Sequence, residues 1–313
     1  MRQILISELI AQAAHSANSA LAPIDRFIFS RRGDTSPAPP IFIVGCPRSG
    51  TTLLYQVLTH CLQLGYLPRY LDHAYGVCHL ASRLSSLEAR QSAPMFRSSY
   101  GRIRGLRSPS ESFGFWQRWL RKGRLGDHSH RVPLPAMRAQ SMADAVSALS
   151  REMMAPPLFK CVYLSLAVPA LAAAIPDSRF IYMRRDWLDT ACSIYKKRTQ
   201  LPSGMWWSIR PQGYLKRLSQ DLADQVVWQV QATGRELEDA LHGLDARRYV
   251  TVDYTELCAA PGDVAERVGT WAKLEPWPDT RLPKSFEPAH VHDARLRRIL
   301  AGSSFVTSST HHS

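Results

Sequence analysis

The stretch from Ile41 to Leu54, I-F-I-V-G-C-P-R-S-G-T-T-L-L, constrains the fold of this chain more than any other segment. Ile41-Phe42-Ile43-Val44 is a continuous apolar run, the pattern of a strand buried on both faces. It enters a loop bounded by Gly45 and Gly50, and from Thr51 to Leu62 the pattern turns helical. A buried strand, a tight loop and a helix in direct succession aim backbone N–H groups and a helix N-terminus at one spot. That arrangement suits a bound phosphate.

Downstream, strands are expected at Leu158–Val162, Arg179–Met183 and Tyr249–Val252. Helices are expected at Ser165–Ala174, Trp187–Arg198, 262–273 and, as one long element, 214–242. Residues 65–110 read as short helices and loops over the strand ends. Strands alternating with helices predict an α/β fold, a three-layer αβα sandwich around a central parallel sheet. Within 313 residues, the division expected is a helix and Pro-rich leader (1–40), a single domain (41–300) and a flexible tail (301–313).

Composition narrows the function classes. A hydrophobic content of 45% excludes a disordered or collagen-like chain. Ile4, Leu5, Leu9 and Ile10 give a short amphipathic helix, and Glu8 and Gln12 break the run a signal peptide would need. The most apolar window, Leu158–Ile175, contains Lys160 and Pro169 and is too broken to span a bilayer. Six cysteines without a C-x-x-C pair argue against a zinc knuckle or disulfide scaffold and fit a reduced cytoplasmic enzyme. The net charge is +13, and Arg far outnumbers Lys, a bias that favours oxyanion ligands. The arginines are scattered and no nucleic-acid motif is present, so no specific nucleic-acid partner is expected.

Gly45 and Gly50 stand five apart, as in G-x-x-x-x-G-K-[ST], but Thr51 takes the place of the lysine. A nucleoside triphosphatase or nucleotide kinase uses that lysine on the β- and γ-phosphates. Here the cation, Arg48, lies inside the loop among the hydroxyls of Ser49, Thr51 and Thr52. The loop suits one compact phosphate with a neighbouring anion; a P-loop nucleotide kinase is the alternative. A second cluster follows in R-F-I-Y-M-R-R-D-W-L-D-T-A-C-S (179–193). A strand ends in Arg184-Arg185, and Asp186 is placed to cap the next helix. Two cations at a helix N-terminus oppose its dipole, a conflict that an anion between them would remove. Ser193 lies about two turns further on, where it completes a phosphate clamp.

Pro47–Leu54, P-R-S-G-T-T-L-L, resembles the 5′-phosphosulfate loop of sulfotransferases that use 3′-phosphoadenosine 5′-phosphosulfate (PAPS). Arginine in the loop is similar to the bacterial and tyrosylprotein branch. Arg185, Asp186 and Ser193 match the family's 3′-phosphate element, with Trp187 where proline is usual. V-D-Y-T-E-L-C (252–258) resembles a late segment in which Tyr254 approaches the nucleotide. The resemblance implies a P-loop NTPase-like sulfotransferase fold. It implies PAPS as co-substrate, no metal, and an acceptor hydroxyl on a carbohydrate or glycolipid, or else on a small natural product. Arg48, Ser49, Gly50, Thr51, Thr52 and Leu53 would hold the 5′ end, and Arg185, Ser193 and Tyr254 the 3′ side.

Four residues are catalytic candidates under that resemblance. Arg48 would neutralise the leaving oxygen, and Lys160, at a strand end, would either steady the sulfuryl group or extend its head to solvent. Glu111, set among aromatics that would raise its pKa if they bury it, and His73, beside Asp72, are the two choices for general base. Trp116, Trp119, Trp206 and Trp207 are candidates to roof an acceptor cleft, with core packing equally open for Trp116 and Trp119. Arg121–Asp127 reads as a solvated helix end, and Asp127, His128 and His130 as loop rather than metal ligands.

Overall fold

A computed structural model describes residues 16–18, 20–25, 27, 38–72, 74–80, 96, 98–99, 101–120, 133–202, 205–290 and 293–307. Its centre is a four-stranded sheet with every pairing parallel. The strands are β1 (Ile41–Gly45), β4 (Leu158–Lys160), β5 (Arg179–Arg184) and β6 (Tyr249–Asp253), in the order β4-β1-β5-β6. Ser98–Ser99 (β2) and Arg102–Ile103 (β3) pair as a separate antiparallel ribbon. From β1 onward the principal helices run α1 (Thr51–Cys61), α2 (Phe113–Trp116), α3 (Ala136–Met153), α4 (Val168–Ala174), α5 (Trp187–Arg198) and α6 (Leu222–His242). After β6 come α7 (Tyr254–Ala259), α8 (Pro261–Ala272), α9 (Ala294–Ala301) and α10 (Ser304–Thr307).

Alternation along the strands divides the core into two layers. Phe42, Val44, Phe159, Phe180 and Tyr182 pack with residues of α3, α4 and the end of α6. Phe42 stacks between Phe159 and Phe180 at 5.4 and 5.6 Å. Ile41, Ile43, Leu158, Ile181 and Met183 face the opposite side, against α1 and α8. Both faces are covered, which is why these strands read as unbroken apolar runs.

Three expectations are corrected. The long helix over 214–242 divides into a 3₁₀ turn at Tyr214–Arg217 and α6. Asp221 starts α6 afresh by accepting the Asp224 N–H, and Leu218 is largely exposed rather than part of a core stripe. The helix over Ser165–Ala174 is a 3₁₀ segment, Val162–Ala167, followed by α4. Pro169 falls in the first turn of α4, where its missing N–H costs nothing. Beyond α8, where no further element is expected, Asp293 caps α9, and α10 occupies part of the expected tail. The amphipathic helix over Ile4–Ile10 and the segment 121–130 lie outside the described residues.

The chain passes from β4 to β5 across β1, so the strand order switches on either side of β1. Ligand crevices of parallel sheets open at the carboxyl ends of strands beside such a switch. Lys160 ends β4, and Arg48, Arg185 and Tyr254 follow β1, β5 and β6, at that edge.

Candidate active site

Beyond β1 the loop coils through two left-handed residues, Arg48 (φ 70°) and Gly50 (φ 102°). The turn is closed by Ser49 N–H donating to Cys46 O at 3.1 Å, and Gly50 O accepts the first helical N–H groups from Leu53 and Leu54. Ser165 anchors the entry: its hydroxyl donates to Gly45 O (2.9 Å) and accepts from Gly45 N–H (3.0 Å). Sequence reasoning missed Ser165, whose signal was a lone hydroxyl in an otherwise apolar run. Tyr254 covers the other side so closely that a Cβ on Gly50 would lie 2.4 Å from its ring.

The two motifs meet here. Arg48 Nε donates to Ser193 Oγ at 3.0 Å, and Arg185 Nη1 donates to Arg48 O at 2.9 Å. Arg185 also stacks on the Tyr254 ring, 4.3 Å from its centroid. The expected pair of cations separates. Arg184 turns away into a two-pronged ion pair with Asp253 (2.8 and 3.1 Å), so only Arg185 faces the loop. Asp186 caps α5 as expected, accepting from Asp189 N–H at 2.9 Å. Two buried polar atoms beside the loop, Ser49 Oγ and Arg185 Nε, have no hydrogen-bond partner among the described residues. Each is a donor of the kind an oxyanion accepts from, so the residues present fit a phosphorylated ligand.

A second group converges opposite the loop. Lys160 at the end of β4 is 3% exposed and forms an ion pair with Glu111. It therefore does not reach for solvent; its head is held by a carboxylate. A Cβ on Gly101 would lie 3.5 Å from both Glu111 Oε1 and Lys160 Nζ and 3.8 Å from Thr52 Oγ1, so loop, strand end and carboxylate share one small space. The chain around Glu111 is tightly fixed: Ser110 Oγ donates to Asp72 and accepts from Ser112 N–H (3.2 Å), and Ser112 is left-handed at φ 47°. Tyr163, also missed, adds a wall. It hydrogen-bonds Ser208, its ring lies 5.4 Å from Phe113, and burial and the Glu111 charge push its phenol pKa up. His73 lies outside the described residues. Trp116 and Trp119 are buried in the core, Trp116 completely, so they roof nothing; Trp206 and Trp207 remain half-buried.

All six cysteines are unpaired. Among the described residues, no helix is long and apolar enough to cross a membrane.

Comparison with known proteins bears on the family and the fold. No curated protein sequence matches the chain. Among solved structures it is similar to the sulfotransferase STF1 of Mycobacterium tuberculosis H37Rv, with a TM-score of 0.52 and 15% identity over 95% of this chain and 83% of that one. It is also similar to the sulfotransferase STF9 of Mycobacterium avium, with a TM-score of 0.47 and 16% identity over 90% of this chain and 70% of that one. A profile of the Sulfotransferase family matches residues 39–279, and the chain belongs to that family.

Proposed function

We propose that this sulfotransferase takes its sulfuryl group from PAPS and delivers it to a hydroxyl of a carbohydrate or glycolipid. The bridging of the two motifs by Arg48 carries the donor half of this reading. One guanidinium touches the element assigned to the 3′-phosphate while its backbone forms the loop assigned to the 5′-phosphosulfate. A nucleotide phosphorylated at both ends fits that connection better than a triphosphate extended from one end. When bound, PAPS supplies an activated sulfuryl group and a stable bisphosphate leaving group.

In this reading Ser49, Thr51, Thr52 and the Gly50 N–H hold the 5′ end, and Arg185 with Ser193 holds the 3′-phosphate; the Leu53 N–H is engaged by Gly50 O and does not take part. Tyr254 buttresses Gly50. Arg48 lies where negative charge grows on the bridging oxygen, and Lys160 where it grows on the sulfuryl oxygens. Glu111 is the general base: its carboxylate, placed beside Lys160, accepts the acceptor's proton as the hydroxyl attacks sulfur. The exposed Phe113 and the half-buried Trp206 and Trp207 offer faces on which sugar rings stack.

The donor is tested calorimetrically, by titrating adenosine 3′,5′-bisphosphate against ATP, with Arg185→Ala as control. Tight bisphosphate binding that ATP does not match, and that the variant loses, supports the reading. Equal binding of ATP returns the kinase alternative. Release of bisphosphate from PAPS against a panel of glycosides and glycolipids then tests the acceptor class.

A further inference from the structure

The Arg185 guanidinium is already half engaged by the chain itself. Its Nε and Nη2 form the edge that grips an oxyanion with two parallel hydrogen bonds. Among the described residues Nε is buried without a partner, whereas Nη2 donates to the carbonyl of Ala289. The same residue is held from its other side, since Ala289 N–H donates to Tyr254 Oη at 3.0 Å. A backbone carbonyl thus takes the place of one oxygen of the anion.

The segment carrying that carbonyl is tied down nearby. Asp189, 5% exposed on the first turn of α5, receives two groups from the C-terminal region. His290 Nδ1 lies 2.9 Å from one carboxylate oxygen, and Arg297 on α9 donates to the other. Phe286 N–H is fixed to Cys258 O at 2.7 Å, so the piece from Phe286 to His290 is held at both ends. Arg297 directs its hydrogen bond at Asp189 rather than at the Arg185 edge, which makes it a fastening and not a ligand.

We propose that Phe286–His290 is a latch, closed by the Asp189–Arg297 and Asp189–His290 contacts, which a 3′-phosphate must displace from Arg185. The inference rests on the reading of Arg185 as the 3′-phosphate residue. A protein whose competent state is only partly populated binds with affinity reduced by that fraction, so loosening the latch strengthens binding. The latch also makes affinity for the 3′-phosphate depend on residues that do not touch it.

Arg297→Gln separates this role from its opposite. Removing a cation beside an anion site weakens anion binding, whereas releasing a latch strengthens it. Calorimetry should show adenosine 3′,5′-bisphosphate binding the variant about two- to fivefold more tightly, the range of a partly exposed ion pair. Binding of 5′-AMP, which lacks the 3′-phosphate, should not change. Weaker or unchanged bisphosphate binding overturns the latch. His290→Gln provides a second variant with the same expected sign. The wild-type protein offers an independent readout: saturating bisphosphate should speed hydrogen exchange at the Ala289 amide, and slower or unchanged exchange there also overturns the proposal. If the wild type itself does not prefer the bisphosphate to 5′-AMP, the donor reading fails and the latch falls with it. If it does and the variants retain unchanged affinity, only the latch fails.

Discussion

Arg48 Nε donates to Ser193 Oγ across 3.0 Å, joining a loop and a helix whose residues stand 145 positions apart in the chain. The contact links the two ends of the proposed nucleotide site, where it acts as a preorganising bond. Ser193→Ala should reduce affinity for adenosine 3′,5′-bisphosphate about tenfold, the worth of a hydrogen bond to a charged partner. Titration of the variant checks this, and an unchanged affinity removes Ser193 from the site.

Gly50 is required twice over. Its φ of 102° strains any other residue, and a Cβ there would press into the Tyr254 ring. Gly50→Ala should lower stability by about 2–4 kcal/mol, combining backbone strain with overpacking. Gly50→Ala with Tyr254→Ala should recover only the packing share. Denaturant titration of single and double variants separates the two terms.

Lys160 is nearly inaccessible and Glu111 is its ion-pair partner, so the pair is asymmetric under mutation. Glu111→Gln leaves a buried ammonium uncompensated and should cost about 3 kcal/mol. Adding Lys160→Met should restore much of that stability while leaving sulfuryl transfer abolished. A double variant no more stable than Glu111→Gln would show that the ion pair does not set the stability here.

Burial alone would raise the Asp189 pKa, but hydrogen bonds from Arg297 and His290, with the charges of Arg185 and Arg297, outweigh it and bring it below the usual 3.8. A carboxylate depressed on folding stabilises the protein above its unfolded pKa. That contribution disappears as pH falls through the folded value. Melting temperature should therefore drop from about pH 4 downward, and Asp189→Asn should be lower at neutral pH with a flatter acid limb. Thermal scans between pH 6 and pH 2.5 measure the difference.

Burial pushes the thiols up, Cys61 to about 11 and Cys78 to about 12, with Cys46 and Cys161 displaced further in the same direction. Thiolates are the reactive form, so the native protein should react slowly with a thiol-specific disulfide reagent at pH 8. Unfolding in denaturant should release all six thiols at once. Rapid native labelling of Cys46, the one partly exposed cysteine, would contradict this.

Local rules determined much of this protein from its sequence. The apolar run before Gly45 made a buried strand, Gly50 allowed the left-handed turn of the loop into α1, and Asp186 started a helix after a basic strand end, because each depends on residues close in the chain. The same rules singled out Arg48, Arg185 and Ser193, which the fold brings into contact. The sequence could not place Leu218 or Trp116, since helical spacing is the same whether a face meets solvent or core. Only the tertiary structure decided that Arg184 spends its charge on Asp253, that Lys160 is met by Glu111, and that Ala289 reaches Arg185. Those partners are separated by 69, 49 and 104 residues. Which charge neutralises which is settled by the sheet order that brings strand ends together, a relation that spacing along the chain does not contain.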